Sequence, residues 1–365
     1  MVTRERPRPL RGRPRVSVVI PCYNYGHYLQ DCVQGVLDQD GVDVDVLIID
    51  DDSPDGSVAV ARKIADGDAR VRLIEHHVNA GHIATYNEGL AAAEGDYVVL
   101  LSADDLVTPG SFQRATALME AHPEVVMVHG FARTFKDVPP PPRTEMRSWT
   151  VWPGAEWVAR ICRAGGNPVA TPEVMLRTST MHQLGDYDPR VPHAGDFLMW
   201  LRAAALGGIG RVNDVDQAYY RVHGNNMHVQ QFAGADTDLR QRYESFEIFF
   251  DEDGRDMPDA DRLRTAARLA VAREALVIAC ACYETKPSTE EAALAGRLVA
   301  LAEEIYPPAR DSRLRRTYTR LVSRTEQGKG PLVPRSISAF NKRVRQHVEW
   351  RRWRRYGVES AVKLP

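Results

Sequence analysis

Along its first hundred residues the chain alternates short apolar runs with stretches whose apolar positions recur at helical spacing. Residues 16–20, Val-Ser-Val-Val-Ile, form a β-branched run closed by Pro21, which predicts a buried strand opening directly into a loop. Tyr28, Cys32, Val33 and Val36 then fall on the single face that a 3.6-residue period creates, so a helix is expected over 28–37. Residues 44–49 predict a second strand, 57–65 a helix, 71–74 a third strand, 83–93 a helix and 97–101 a fourth strand. This alternation specifies an α/β fold with a mostly parallel sheet flanked by helices. Open sheets of that kind bind ligands beyond the carboxyl ends of their strands, so the loops after Ile20, Ile49 and Leu101 are expected to share one crevice.

The strand pattern stops near residue 230, and helical periodicity takes over at 262–283 and 289–305. The expected organisation is a disordered basic arm at 1–14, where Arg and Pro alternate, a sheet domain at 15–230, and an α-helical C-terminal region at 231–365. Val138 followed by four consecutive prolines, Pro139 to Pro142, makes 138–142 a stiff connector that interrupts the sheet domain.

A length of 365 residues fits one large α/β domain with a smaller appendage. The 47 Lys and Arg balance 49 Asp and Glu, so no nucleic acid is expected as a partner. No run approaches the roughly 18 apolar residues of a membrane span, and residues 1–15 do not form a secretory signal. The expected location is cytoplasmic, free in solution or peripheral on the inner face of the membrane. Cys22, Cys32, Cys162, Cys280 and Cys282 have no C-x-x-C spacing, which suits reduced thiols and gives no zinc site.

The candidate chemistry lies in the three loops. Asp50, Asp51 and Asp52 end the second strand, where like charges repel unless a donor or cation meets them. Asp51 is the better binding candidate, while Asp52 and Asp55 read as caps or solvated groups. Asp104 and Asp105 leave the fourth strand together, as hard oxygen donors that suit manganese or magnesium.

Several motifs occur in order: Val18-Val-Ile-Pro-Cys-Tyr-Asn24, Ile49-Asp-Asp-Asp-Ser-Pro-Asp-Gly-Ser57, Asn79-Ala-Gly-His-Ile-Ala-Thr-Tyr-Asn87, Ser102-Ala-Asp-Asp105, Gly195-Asp-Phe-Leu-Met-Trp-Leu-Arg202 and Tyr220-Arg-Val-His-Gly-Asn-Asn-Met-His228. Together they resemble family-2 inverting glycosyltransferases of the GT-A fold, over about residues 16–228. The resemblance implies transfer of a sugar from a nucleotide-diphosphate donor, a UDP- or dTDP-sugar, to a hydroxyl or amine, assisted by Mn2+ or Mg2+. It implies that Pro21, Tyr23, Asn24, Asp51, Asn79 and Gly81 line the nucleotide-sugar pocket, with Asp51 accepting a pyrimidine N–H. It further implies Asp104 at the ribose or the metal, Asp105 on the metal with His223, and Asp196 as the base that deprotonates the acceptor. By its own position Asp196 reads equally as a cap of the helix that buries Phe197, Trp200 and Leu201. His223 and Arg221 are expected to help stabilise the departing diphosphate.

The chain departs from the family pattern at Gly195, where an acidic residue often precedes the base, at Asp52 in place of a glycine, at Tyr86 in place of a basic residue, and at His228 in place of a serine. His76, His77, His122 and His182 read as surface or capping residues. Trp149, Trp152 and Trp157 read either as a stacking platform for an acceptor or as core, and Glu173 as a group reaching the donor sugar or acceptor.

The acceptor classes left open are a polysaccharide, a lipid-linked sugar and a small natural product. The tail at 335–355 sets Lys342, Arg343, Arg345, Arg351, Arg352, Arg354 and Arg355 around Phe340, Val344, Val348, Trp350 and Trp353. It reads as an interfacial helix on anionic lipid, or as a face packed on the catalytic domain or on a second subunit of a homo-oligomer. A catalytically silent nucleotide-sugar-binding module is the alternative of a different class. A nucleotidyltransferase is disfavoured, because no Gly-rich loop bearing Lys or Arg follows the first strand.

Overall fold

The computed structural model describes residues 1–224, 226 and 234–329. His228 and the basic tail at 335–355 lie outside the described residues. The chain divides into two compact units, one of residues 1–157 with 169–226, the other of 158–168 with the helices that follow residue 226.

The first unit is built on a nine-stranded mixed sheet. In chain order its strands are β1 (Thr3–Glu5), β2 (Arg15–Cys22), β3 (Asp43–Asp50), β4 (Val71–Glu75), β5 (Tyr97–Leu100), β7 (Val125–His129), β9 (Trp149–Trp152), β10 (Met175–Arg177) and β11 (Gly208–Val212). They lie side by side as β1-β9-β11-β7-β10-β5-β2-β3-β4. The run β5-β2-β3-β4 is parallel throughout, as the strand and helix alternation requires. β10 then enters antiparallel between β5 and β7, which turns the sheet from parallel to mixed. A second sheet, ordered β6-β12-β8, joins β6 (Leu106–Val107), β12 (Ala218–Arg221) and β8 (Ala132–Phe135).

The central strands carry β-branched residues because both their faces are covered: Val16, Val18, Ile20, Val46 and Ile48 have no exposed surface. Each such side chain stabilises the fold by about 1.5–3 kcal/mol on burial. Helix α1 (Gly26–Leu37) buries Leu29, Cys32, Val33 and Val36, the stripe marked by its periodicity. Helices α2 (Ser57–Gly67), α3 (His82–Ala91), α4 (Ser111–Ala121), α5 (Gly154–Ala164), α6 (Thr178–Leu184) and α7 (Gly195–Leu206) follow, α5 running from the first unit into the second. Trp149, Trp152 and Trp157 are fully buried, so they pack the interior and do not form a platform.

The start of the chain differs from the expected disordered arm. Residues 3–5 form β1, an edge strand antiparallel to β9 with Thr3 opposite Val151 and Glu5 opposite Trp149. Side chains reinforce the pairing: Arg4 Nε donates to Ser148 Oγ at 3.1 Å, and His122 Nε2 lies 2.6 Å from Glu5 Oε1. Composition misleads here because an edge strand needs free backbone N–H groups, not apolar side chains, and the prolines begin only at Pro7.

The second unit is helical. It contains α8 (Ala235–Asp251), α9 (Ala260–Cys282), α10 (Thr289–Ile305) and α11 (Arg313–Glu326). α10 starts with a reciprocal cap, Glu291 N donating to Ser288 Oγ at 3.1 Å and Ser288 N to Glu291 Oε2 at 2.7 Å. Inside this unit the buried Arg242 donates to Gly165 O at 2.7 Å and to both Glu274 oxygens at 3.0 Å. Such a fork satisfies a guanidinium removed from water. All five cysteines are free thiols. No helix among the described residues is long and apolar enough to cross a membrane.

Candidate functional site

At the carboxyl ends of β2 and β3 the two following loops are stitched together by backbone donors. Asp51 N donates to Cys22 O at 3.0 Å, Asn24 N to Ser53 Oγ at 3.0 Å and Gly26 N to Ser57 Oγ at 2.7 Å. Asn24 and Asp52 both adopt left-handed backbone, with φ of 62° and 59°. Asn and Asp tolerate that region, so Asp52 fills a position of glycine-type conformation without rebuilding the loop. Asn24 Oδ1 is buried and has no hydrogen-bond partner among the described residues, an acceptor left for a ligand. Tyr23 is 46% exposed beside it, and Pro21 is half-buried.

Asp51 is the hub of the next loop. Its Oδ1 accepts from His76 Nδ1 at 2.7 Å and from Ala80 N at 2.8 Å, and its Oδ2 from Gly81 N at 3.0 Å. Asn79 Nδ2 donates to Asp51 O at 2.9 Å. Gly81, at φ 83°, makes the turn that starts α3, a conformation that side chains resist. Burial alone would raise the Asp51 carboxyl, but His76 and the two backbone N–H groups outweigh it and hold it below the usual carboxylate range. Three donors leave about one of its roughly four lone-pair directions for a further partner.

The third loop meets the closing segment because β12 pairs antiparallel with β6, Tyr219 opposite Leu106. Arg221 N donates to Asp105 Oδ1 at 2.8 Å, and Arg221 Nε to Asp104 O at 2.8 Å. His223 Nε2 lies 3.0 Å from Asp104 Oδ2, which also accepts from Asn226 Nδ2 at 3.2 Å. Asn226 Oδ1 in turn accepts from His223 N at 2.6 Å. It is therefore Asp104 whose carboxylate faces His223, while Asp105, 2% exposed, holds the backbone of the closing segment. Burial first and then the charge of Asp104 push the Asp105 carboxyl well above the usual range, a tension that a cation would relieve.

Arg221 also binds the surrounding loops through its side chain. Its guanidinium is sandwiched 4.3 Å from the Tyr28 ring and 4.4 Å from the Phe135 ring, and donates to the carbonyls of Lys136 and Asp137. These contacts make Arg221 a clamp on the loops.

Among the described residues no group of three or more His, Cys, Asp or Glu is arranged to hold a metal. A divalent cation of the magnesium type is held by one or two carboxylates with substrate phosphates and water. Adjacent ligands of such an ion, each at about 2.1 Å, lie about 3 Å apart, and the 3.0 Å between Asp104 Oδ2 and His223 Nε2 matches that separation. Oxygen and imidazole donors also suit manganese, so the pair fits as the protein's part of such a site.

Asp196 opens α7. Its Oδ1 accepts from Phe197 N at 2.7 Å, and its Oδ2 lies 3.5 Å from Thr171 Oγ1. Phe197, Trp200 and Leu201 are buried behind it. Two phenols connect it to the other carboxylates. Burial, followed by the charges of Asp104, Asp196 and Asp105, pushes the Tyr86 hydroxyl above its usual range. Tyr220 is raised by burial and then by Asp105, Asp104 and Asp196. All three carboxylates thus lie within electrostatic reach of the same two rings. Tyr86 packs edge-on to Tyr187 with ring centroids 5.5 Å apart, and a Cβ added to Gly195 would stand 3.0 Å from Tyr187 Cδ1. A side chain preceding Asp196 would therefore require the ring of Tyr187 to give way slightly.

Glu173 turns inward. It is buried, its Oε1 accepts from Ala170 N at 3.0 Å, and burial raises its carboxyl to about 7. It fixes the 3-10 turn Thr171–Glu173 that carries Thr171 to Asp196. Three contributors had little or no sequence signal. Asn226 stands inside a quoted motif without an assigned role, Thr171 has no signal, and His76 looks like an isolated loop histidine.

Residues 17–183 match the model of the family described as Glycosyl transferase family 2. An uncharacterized glycosyltransferase of Bacillus subtilis, EpsJ, is 34% identical over 131 residues, 35% of this chain and 38% of EpsJ. The matched segment thus spans about two fifths of that relative. S. aureus TarS 1–349, solved in complex with UDP-GlcNAc, superposes with a TM-score of 0.60 at 16% identity, covering 86% of this chain and 92% of TarS 1–349. The mannosyltransferase PcManGT from Pyrobaculum calidifontis, solved with GDP-Man and Mn2+, superposes at 0.52 with 20% identity, covering 87% of this chain and 88% of its own. At these identities the superpositions establish the GT-A fold.

Proposed function

We propose, on the premise that residues 17–183 belong to glycosyl transferase family 2, that this protein is an inverting glycosyltransferase using a nucleotide-diphosphate sugar. The observation that carries the reading is the contact of His223 and Asn226 with the Asp104 carboxylate beside Asp105, with the charge of Asp196 reaching the same two phenols, Tyr86 and Tyr220. Support for the donor class comes from TarS and PcManGT, whose structures hold UDP-GlcNAc and GDP-Man. In this chain the exposed Tyr23 offers a ring for a base, and Asp51 Oδ2 and Asn24 Oδ1 offer acceptors. A base with an imide N–H, as in UDP or dTDP, fits those acceptors best.

In the reaction, Asp196 takes the proton of an acceptor hydroxyl or amine as that atom bonds to the anomeric carbon. The bond from that carbon to the diphosphate oxygen breaks on the opposite face, which inverts the configuration. The bond from Phe197 N and the contact with Thr171 orient the Asp196 carboxylate, so it need not reorganise as charge moves. Asp104 and His223 are the residues that would hold a divalent cation, with Asp105 and Asn226 fixing them from behind. Such a cation, when bound, supplies charge neutralisation on the leaving diphosphate. The acceptor is a hydroxyl or amine of a polysaccharide, a lipid-linked sugar or a small natural product.

Two variants test the assignment. Asp196→Asn should keep donor binding and lose about 10²–10⁴-fold in turnover, measured as nucleotide release from a panel of donor sugars. Turnover near the wild-type rate would remove Asp196 from the mechanism. Asp104→Ala should abolish the part of UDP binding that a chelator also abolishes, read by calorimetry.

A further inference from the structure

The strongest polar feature that the reaction leaves unused is His76, just beyond the end of β4. Its Nδ1 lies 2.7 Å from Asp51 Oδ1 and its Nε2 2.7 Å from Glu88 Oε2. A neutral imidazole has one donor and one acceptor, and its acceptor nitrogen would be repelled by a carboxylate oxygen at that distance. Both contacts are satisfied together only by the imidazolium. The backbone is fixed too, since His76 N donates to Asp50 O at 2.9 Å. The ring therefore ties three separate pieces: the loop after β3, the end of β4 and helix α3.

Those pieces are the walls of the nucleotide pocket. The carboxylate that His76 grips is the one that accepts from Ala80 N and Gly81 N and so shapes the turn leading into α3. We propose that His76 is a positioning residue for donor binding: as an imidazolium clamped between Asp51 and Glu88 it holds the Asp51 carboxylate and the turn at 79–81 in place for the nucleobase, and donor affinity falls when it loses its proton. This rests on the glycosyltransferase reading for the identity of the ligand, but not for the clamp itself.

The charged surroundings point the same way. Asp51 first, then Glu88, raise the pKa of His76 against a smaller opposing effect of burial. On its own strand Glu75 is occupied by Arg62 of α2, and His77 is exposed. His82, on α3, is held below its usual range by burial and bonds to Pro192 O at 3.2 Å, so it does not replace His76. The sign follows. A histidine raised in the folded state contributes fully below its unfolded value of about 6.5 and loses that contribution as pH climbs through the raised value. Affinity should hold below neutrality and fall on the alkaline side, by about five- to tenfold for a charge-assisted contact.

Calorimetric titration of the full chain with UDP and with dTDP, in Mn2+ between pH 6 and 8.5, tests this. The wild type should lose about five- to tenfold in affinity across the range. Glu88→Gln, which removes the outer carboxylate of the clamp, should show the fall displaced to lower pH. His76→Gln can donate to only one carboxylate at a time, and should bind weakly with a flat profile. Superimposable profiles for the three proteins overturn the proposal, as does a fall of equal midpoint in wild type and Glu88→Gln. If the wild type binds neither nucleotide, the donor reading fails instead. NMR titration of the His76 ring in the ligand-free protein then decides the clamp: a pKa above that of free histidine, lowered in Glu88→Gln, sustains it, and an ordinary value in both sinks it.

Discussion

At the scale of single residues, neighbours in sequence have opposite fates. Asp104 points its carboxylate at His223 and Asn226, whereas Asp105 turns to the backbone of Arg221. Their order in the chain gives no means of telling these contacts apart. Glu173 has a calculable consequence for stability. Its carboxyl is raised from 4.5 to about 7 by burial, so between those values the folded state holds a proton that the unfolded state has released. Stability should therefore decline as pH rises from about 4.5 to about 7, by on the order of 2–3 kcal/mol. In Glu173→Gln that decline should disappear, as urea unfolding at pH 4.5, 6 and 8 will show.

At the scale of elements, the start of α7 decides how the base is presented. A Cβ at Gly195 would press on the ring of Tyr187, which also packs on Tyr86, at 3.0 Å. Gly195→Glu should push α7 or the Tyr187 ring aside at a cost of about 1–3 kcal/mol, measured by chemical denaturation. In a double-mutant cycle Gly195→Glu should cost less in a Tyr187→Ala background than in the wild type, and equal costs in both would refute the steric conflict. The loops after β2 and β3 are elements of another kind, each ending a parallel strand and the two stitched to one another by backbone N–H groups. Such stitching makes an apparently irregular segment rigid enough to place a ligand group.

At the scale of the whole molecule, β1 shows that a basic, proline-bearing start can complete a sheet. Removing residues 1–6 should uncover the edge of β9, lower stability by about 1–3 kcal/mol and bring the melting temperature down by several degrees. An unchanged melt would mean that the β1 pairing contributes nothing. Much else was legible in advance. The strands and helices from residue 16 to 101 lie within a few residues of where periodicity puts them, and the loops after β2 and β3 are stitched to one another, because a buried parallel strand and an amphipathic helix write their surroundings into local spacing. The second half of the sheet was not legible, since β7, β9, β10 and β11 are short and take partners far away in the chain. What the sequence determined by itself was the α/β alternation, the acidic loops and the family they resemble. What only the tertiary structure decided was which carboxylate meets which partner: Asp104 reaches His223 across 119 positions, and His76 reaches Glu88 and Asp51 from a third segment. Those encounters depend on the pairing of β12 with β6 and on the turn at Gly81, and no local pattern of residues carries that information.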